Sequence, residues 1–336
     1  MRILRALQRP LAAAATMALL GVPASAAGHR ALVASSPQPG PPVTSSPTTP
    51  GAPTPTTPTT PPVPPVITRP AKPVSKIPLV SVRHLNNSWQ ITGRVGNHPV
   101  SWAAQRGNVT LMRFNQQYAR LELHPGAEEP GGGGWAYRDV IAGQEAHRVL
   151  AGFNSGFKFK YGSLGWMESG RSAVPLSGGL GSIVTYADGS TQIGAWRQGV
   201  PQPGKRIVSV RQNLNLLIDH GRAAEDLGCV EACWGATDEG LTYVARSGLG
   251  ITGTGRLVWA AGMHLSPAEL AYALVAAGAQ RAVELDINPY WVAGYVYLHR
   301  GSRTHPVALL PGQHGIKGAL LHPYSCLLYP SPSPRD

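Results

Sequence analysis

The clearest alternation of hydrophobic and polar residues lies near residue 285, where apolar side chains occupy every second position. Such alternation predicts a β-strand, which we place at 282–287. The polar positions are Glu284, Asp286 and Asn288. Side chains two residues apart in a strand point to the same face. We therefore expect three oxygen-bearing groups to collect at the end of this strand.

The segment just before this strand carries the start and stop signals of a helix at 266–277. Ser266 is a suitable N-cap, Pro267 suits the first helical position, and Glu269 completes a capping box. Gly278 is typical of the residue that follows a helix.

Short β-type segments separated by turn residues fill most of the remaining chain. An Asp-Gly pair joins 180–186 to 191–196, and a Gly-Thr-Gly turn joins 241–251 to 256–261. Both patterns indicate β-hairpins. The sequence thus predicts an α+β fold: a single domain with a mixed, largely antiparallel sheet core and a few packed helices.

Composition divides the chain into four segments. Residues 1–27 have the basic start, apolar stretch and small-residue cleavage site of a signal peptide. Residues 28–77 form a Pro/Thr-rich segment that we expect to be a disordered spacer. The foldable domain is expected at 78–322, and 323–336 is expected to be a non-native or disordered tail. This organisation predicts a protein that is secreted or associated with the cell envelope.

The net charge of +12 suits an anionic partner such as an envelope polymer. Because no basic run with interleaved aromatic residues is present, we do not expect a nucleic-acid partner. Cys229 and Cys233 lie in a Gly-rich loop. In an exported protein this spacing favours a local disulfide, with a metal-binding pair or free thiols as the alternatives.

Two segments could contact a ligand. In the sequence AGFNSGF, the amide of Asn154 and the backbone at Gly156 could both approach a bound group, although a turn would explain them equally well. Arg246 stands within an otherwise apolar strand, where its guanidinium needs an anionic partner. That partner could be a phosphate, a ligand carboxylate, or an internal acid such as Asp286; alternatively, the side chain points to solvent.

Two further groups could carry acid–base chemistry. Crowding of Glu284 and Asp286 would raise one pKa and provide an acid and a base, as glycoside cleavage requires. The alternative is that Glu284 caps a neighbouring backbone and only Asp286 matters. Asp219 and His220 could be metal ligands or an acid–base pair, although a turn is a common reason for such a pair.

Together these segments resemble the phosphodiester glycosidase family over roughly residues 108–310. The stretch 151–157 resembles its Asn-Gly-Gly-Phe segment, 245–257 its Arg-containing strand and hairpin, and 265–288 its helix followed by an Asp-Gly-Gly-Gly segment. The chain departs from the family at Ile287 and Asn288, which replace glycines that let a substrate approach the backbone.

The resemblance implies an exported hydrolase that cleaves a sugar-1-phosphodiester in an anionic, phosphodiester-linked glycan. Asp286 would act as nucleophile or general base, Glu284 would assist the leaving group, and Arg246 would dock the phosphate. The other expected substrate contacts are Asn154, Gly156, Asn288, Asp219 and His220.

The sequence shows no required cofactor, and it leaves open whether a divalent metal binds. A metal-dependent hydrolase using Asp219, His220 and Asp286 lacks a supporting ligand spacing. The main alternative to an enzyme is a non-catalytic envelope-binding module, which would hold an anionic glycan through the cleft of Arg246.

Overall fold

The computed structural model describes residues 85–131, 133–162, 164–237, 239–323 and 328–332. The predicted signal peptide, the spacer and the third cysteine, Cys326, lie outside the described residues. Most of the predicted tail also lies outside them, and its described part, Leu328–Pro332, forms a strand.

Seventeen strands occur within the described residues: β1 Gln90–Val95, β2 His98–Arg106, β3 Val109–Phe114, β4 Val149–Asn154, β5 Trp166–Glu168, β6 Arg171–Val174, β7 Gly181–Tyr186, β8 Thr191–Ala195, β9 Ile207–Gln212, β10 Leu216–Asp219, β11 Arg222–Ala223, β12 Val244–Thr252, β13 Leu257–Leu265, β14 Ala279–Glu284, β15 Gly294–Arg300, β16 Arg303–Ala308 and β17 Leu328–Pro332. The helices of the same residues are α1 Val230–Trp234, α2 Pro267–Ala276 and short 3-10 helices at Glu145–His147, Phe159–Tyr161 and Lys317–Leu320.

These strands form three sheets. The largest has the order β1-β2-β3-β13-β12-β14-β10-β11, the second β16-β15-β4-β17, and the third β6-β5-β9-β7-β8. Every pairing between these strands is antiparallel. Antiparallel neighbours can be joined by tight turns, so the chain needs few crossover helices.

The predicted α+β class is therefore wrong, and the fold is β-rich. The described residues contain two α-helices, and α1 spans only five residues. Among the described residues α2 is the only helix longer than five residues, because turns between antiparallel strands leave no need for helical crossovers.

The helix α2 itself confirms its prediction. The Ser266 hydroxyl accepts a hydrogen bond from the Glu269 backbone, and the Glu269 carboxylate accepts one from the Ser266 backbone. Gly278 follows in a left-handed conformation, with φ of 94°, and leads directly into β14. The helix packs on one face of the eight-stranded sheet through Leu270 and Leu274, which lie in a core cluster with Trp234.

The main core fills the space where the three sheets meet. It includes Phe153 from the four-stranded sheet, Trp166 and Ile183 from the five-stranded sheet, and Trp259 and Val283 from the eight-stranded sheet. Burial of such large apolar side chains is the dominant favourable contribution to folding.

The two predicted hairpins are confirmed as β7–β8 and β12–β13. The predicted disulfide is also confirmed, because Cys229 and Cys233 are bonded with their Cα atoms 5.5 Å apart. None of the described helices is long and apolar enough to cross a membrane.

The strand predicted at 282–287 begins and ends three residues earlier, at Ala279–Glu284. Its start moves because the chain passes from Gly278 into the strand without a loop. Its end moves because the Asn288 backbone N–H donates to Asp286 Oδ1 at 2.8 Å. This local turn competes with further strand pairing.

Candidate functional site

The three sheets converge at the carboxyl end of β14. Beyond the last strand residue, the chain stays bonded to β12, because the Asp286 carbonyl accepts from the Ser247 backbone N–H at 3.1 Å. The Asn154 side-chain amide, at the end of β4, donates to Ser247 Oγ at 2.9 Å. The Asn213 amide, just after β9, donates to the Glu284 carbonyl at 2.6 Å. Each sheet therefore contributes one side of this convergence.

Glu284 and Arg246 form a fully buried ion pair. Their side chains are both 0% exposed, and Arg246 Nη1 lies 2.7 Å from Glu284 Oε1. The guanidinium also donates to the carbonyls of Leu265, Trp234 and Thr242. Burial raises the pKa of Glu284 to about 7, the Arg246 charge opposes this, and the nearby Asp286 charge adds to it.

This placement does not fit the expected role of Arg246 as a phosphate ligand. Its nitrogens face an internal carboxylate and three internal carbonyls, so no donor is directed at an external anion. The internal-acid alternative describes the observed contact, with Glu284 as the acid. Breaking such a pair is costly, because one buried charge would be left uncompensated.

Asp286 is a second buried carboxylate, only 3% exposed. Burial raises its pKa to about 7, whereas hydrogen bonds from the backbones of Asn288 and Ile287 lower it, as do the charges of Arg211 and Lys158. A carboxyl group with such a pKa can exchange a proton near neutrality, as a general acid or base requires.

Arg211, on β9, is the cation that the sequence reasoning missed. It is 1% exposed and donates to the carbonyls of Leu164 and Phe157. It makes no ion pair with a carboxylate of the described residues. Burial lowers its pKa to about 10, and the charge of Asp286 is among those that oppose the change. Its terminal nitrogens face the carbonyls of Phe157, Leu164 and Gly165, so Arg211 acts on Asp286 through its charge.

A cationic and aromatic rim is formed by side chains from the segments after β4 and after Asp286, and the charge of one of them, Lys158, acts on Asp286. We define it as Lys158, Tyr161, Tyr290 and Trp291. The Lys158 ammonium lies 4.7 Å from the Trp291 ring centroid and 2.9 Å from a Glu128 carboxylate oxygen. Tyr161 and Tyr290 are 60% and 66% exposed. Exposed aromatic faces beside a buried carboxylate are suited to pack on a sugar ring.

The segment around Asn154 and Gly156 holds the site together. The side-chain oxygen of Asn154, Oδ1, accepts a hydrogen bond from the Ala293 backbone N–H at 3.3 Å, which ties β4 to the chain after β14. A Cβ atom at Gly156 would lie 2.6 Å from Asn213 Oδ1, so any other residue there would displace the Asn213 side chain. Asn154 is thus linked to the Asp286 carbonyl through Ser247 Oγ, and its expected role as a substrate contact, like that of Gly156, stays a prediction.

Asn288 and Ile287, the two departures from the resembled family, shape the mouth of the site. The Asn288 side chain accepts from the Tyr290 backbone at 2.9 Å and so forms a compact turn. Ile287 packs against Gly235, where an added Cβ would lie 2.7 Å from Ile287 Cδ1. A side chain at 287 is therefore accommodated by the absence of one at 235.

Asp219 and His220 lie at the opposite end of β14. The Asp219 carboxylate pairs with Arg281 at 3.1 Å. Arg281 precedes Asp286 by five near-extended residues, which span roughly 15 Å. His220 and Arg281 line a cavity of about 310 Å³ that does not include Asp286. The structure therefore does not join Asp219 and His220 to the site, either as substrate contacts or as metal ligands with Asp286.

The missed residues had signals of different strength. Arg211 stands in the apolar segment IVSVRQ, so it offered the same signal that singled out Arg246. Lys158 and Trp291 had no local signal, because their role depends on contact between segments that are distant in the chain.

Comparisons with known proteins were made against family models, curated proteins and solved structures. No family model and no curated protein matches the chain. Among solved structures, the similar ones include the catalytic domain of a glycosidase. That domain is from zebrafish N-acetylglucosamine-1-phosphodiester alpha-N-acetylglucosaminidase, auto-inhibited by its pro-peptide. The two sequences are 14% identical, and the TM-score is 0.45. The match covers 73% of this chain and 87% of the zebrafish chain. A Burkholderia pseudomallei protein described as exported is 11% identical with a TM-score of 0.29, over 70% of this chain and 75% of that one.

Proposed function

We propose that the protein is an exported hydrolase that cleaves the glycosyl–phosphate bond of a sugar-1-phosphodiester. One observation carries the proposal: the proton-exchanging carboxyl of Asp286 is close enough to feel the charge of Arg211, a buried guanidinium without an ion-paired carboxylate. A carboxylate in the field of a buried cation suits a substrate with an anomeric carbon next to a negative phosphate. The motif resemblance described above implies the same substrate class.

In the proposed reaction, Asp286 takes a proton from a water molecule that attacks the anomeric carbon. The bond from that carbon to the phosphate oxygen breaks, and the electron pair leaves with the phosphate. The products are a free sugar and a phosphate monoester. Arg211 and Lys158 neutralise the phosphate, which needs little protonation because it is already a good leaving group.

Glu284 has a positioning role in this scheme. Its carboxylate holds Arg246, and the nearby Asp286 charge is among the causes that raise the pKa of Glu284. Because Asp286 is 3% exposed, a substrate must displace part of the rim to reach it. The natural candidates are the segments 157–161 and 287–291, since they carry the rim.

The experiment is a hydrolysis assay on a panel of sugar-1-phosphodiesters, with and without chelator, in which released sugar is measured. We expect turnover by the wild type and a loss of at least about a hundredfold in Asp286→Asn. Lys158→Gln should raise KM for phosphodiesters more than for neutral glycosides. Turnover by Asp286→Asn at the wild-type rate would exclude this residue as the reacting group.

A binding module is the second candidate, and the closed position of Asp286 favours it. In that case the rim would hold an anionic glycan without cleaving it. Calorimetry with the same panel separates the two candidates. Tight binding without released sugar, unchanged in Asp286→Asn and weakened in Lys158→Gln, would establish the module and reject the hydrolase.

A further inference from the structure

A second cluster of ionisable side chains lies outside the candidate site. Glu122, His124 and Glu145 each direct one potential ligand atom into a common space, and these atoms all lie within 4.8 Å of one another. Glu122 and His124 are buried, and Glu145 is partly buried. Two carboxylates placed together at this depth repel each other unless a cation lies between them.

His124 provides the independent observation that points to a ligand. Its ring is fully buried, and its Nε2 atom has no hydrogen-bond partner. Nε2 lies 2.9 Å from Glu145 Oε1, but the two atoms lack the alignment of a hydrogen bond, and Glu145 Oε1 is also without a partner. Buried polar atoms are nearly always satisfied, so two adjacent unsatisfied ones require an explanation.

The two distances from His124 Nε2 to the carboxylates are compatible with the coordination sphere of one ion. The distance from His124 Nε2 is 2.9 Å to Glu145 Oε1 and 4.0 Å to Glu122 Oε2. Two ligands bound at about 2.1 Å to the same ion are separated by about 3 Å when they meet at a right angle, and by about 4 Å at a wide angle. Both distances therefore fit bonds to a common cation.

The surrounding contacts hold these side chains in a ligating arrangement. The second ring nitrogen of His124, Nδ1, lies 2.8 Å from the Arg138 carbonyl, which fixes the tautomer that leaves Nε2 free to bind. The Tyr137 ring stacks on His124 with 4.6 Å between centroids, and its side chain hydrogen-bonds Glu122. Arg120 Nε lies 2.5 Å from Glu122 Oε1. Metal-binding side chains are commonly supported in this way.

From this geometry we propose that Glu122, His124 and Glu145 bind one first-row divalent cation, of which Zn²⁺ is the representative. An imidazole with two carboxylates suits such ions better than Mg²⁺ or Ca²⁺, which prefer all-oxygen sites. Glu122 also lines a cavity of about 210 Å³ together with Arg120 and Tyr137.

The ion would close the loop between His124 and Glu145, which precedes β4. The same loop contacts the candidate site, because the Glu129 carboxylate accepts from the Phe159 backbone at 3.1 Å. The proposed cation therefore has a structural role: it stabilises the loop on which the rim segment rests. A ligand that closes a chain segment stabilises the folded state by mass action.

The test is Zn²⁺ binding to the purified, chelator-treated protein, measured by calorimetry and by the visible absorption of Co²⁺. We expect one ion per chain, and a binding constant at least about tenfold weaker in His124→Gln and Glu145→Gln. His305→Gln is the matched control, because His305 is an exposed histidine on β16. Glu145→Gln changes a partly exposed residue and remains informative if His124→Gln does not fold.

A second readout follows the loop rather than the ion. Arg138 is exposed, and trypsin can cleave after it. Zn²⁺ should slow this cleavage at least about threefold in the wild type and in His305→Gln but not in Glu145→Gln. Absence of Zn²⁺ binding by the wild type, or equal binding by Glu145→Gln, would overturn the proposal and leave the cluster as an ion pair. Equal loss in His305→Gln would show adventitious surface binding.

Discussion

Replacing Asp286 with Asn should stabilise the protein at neutral and alkaline pH. Asn keeps the shape of the side chain and an oxygen that can accept from the Asn288 backbone, as Asp286 Oδ1 does at 2.8 Å. It removes the charge that burial disfavours. Because burial raises the pKa of Asp286 from 3.8 to about 7, the buried charge costs about 4 kcal/mol at most, at ~1.4 kcal/mol per pH unit.

The sign of the pH dependence follows from proton binding. Between pH 4 and 7 the folded wild type retains a proton that the unfolded chain has released, so its stability falls as pH rises through this window. Above pH 7 both states have lost it and the cost is constant. Asp286→Asn does not lose stability in this way. We therefore expect its free energy of unfolding to exceed that of the wild type by almost nothing at pH 4 and by about 2–4 kcal/mol at pH 8.

Urea unfolding followed by tryptophan fluorescence at pH 4, 5.5, 7 and 8.5 measures this difference. Asp219→Asn is the control, because that carboxylate is about half exposed and its replacement should change stability by less than about 1 kcal/mol. If Asp286→Asn were less stable than the wild type at pH 8, or if its advantage did not vary with pH, the burial argument would be refuted.

The remaining predictions concern the buried ion pair, the tight glycine and the rim. Arg246→Met should lower the free energy of unfolding by about 3–5 kcal/mol, because the buried charge of Glu284 is left uncompensated. The double variant Arg246→Met with Glu284→Met should lose less stability than the single variant. Urea titration of both variants measures the difference. Gly156→Ala should cost about 1–3 kcal/mol because its Cβ would lie 2.6 Å from Asn213 Oδ1, and unchanged stability would contradict the close approach. Trp291→Ala should weaken glycan binding about tenfold or more, with a change in stability below about 1 kcal/mol; calorimetry and thermal unfolding separate these effects.

The parts of the fold that depend on local chemistry could be predicted from the sequence. The helix α2 followed from a capping box and a C-terminal glycine, and both hairpins followed from turn residues. The disulfide followed from two cysteines four residues apart in an exported chain. In each case the deciding contacts join residues that are close in sequence, so the pattern alone contains them.

The parts that depend on distant contacts could not be predicted. Arg246 and Arg211 give the same signal, an arginine within an apolar strand, yet only Arg246 meets a carboxylate. Which of them does so depends on how three sheets are placed. The end of β14 differs from the prediction for another reason. The alternating pattern continues to Asn288, but the hydrogen bond from the Asn288 backbone N–H to the Asp286 side chain forms a turn that ends the strand.

The compact turn after Asp286 has a practical consequence for redesign. The turn is bonded mainly within itself, since the backbones of Trp291 and Val292 both donate to the Asn288 carbonyl at 2.9 Å. The Asp286 backbone is bonded to β12, because its carbonyl accepts from the Ser247 N–H at 3.1 Å, while its carboxylate accepts from the Asn288 N–H. Positions 289–291 could therefore be varied as a cassette by library selection, provided that Ile287 and Asn288, which contact Gly235 and Asp286, are kept.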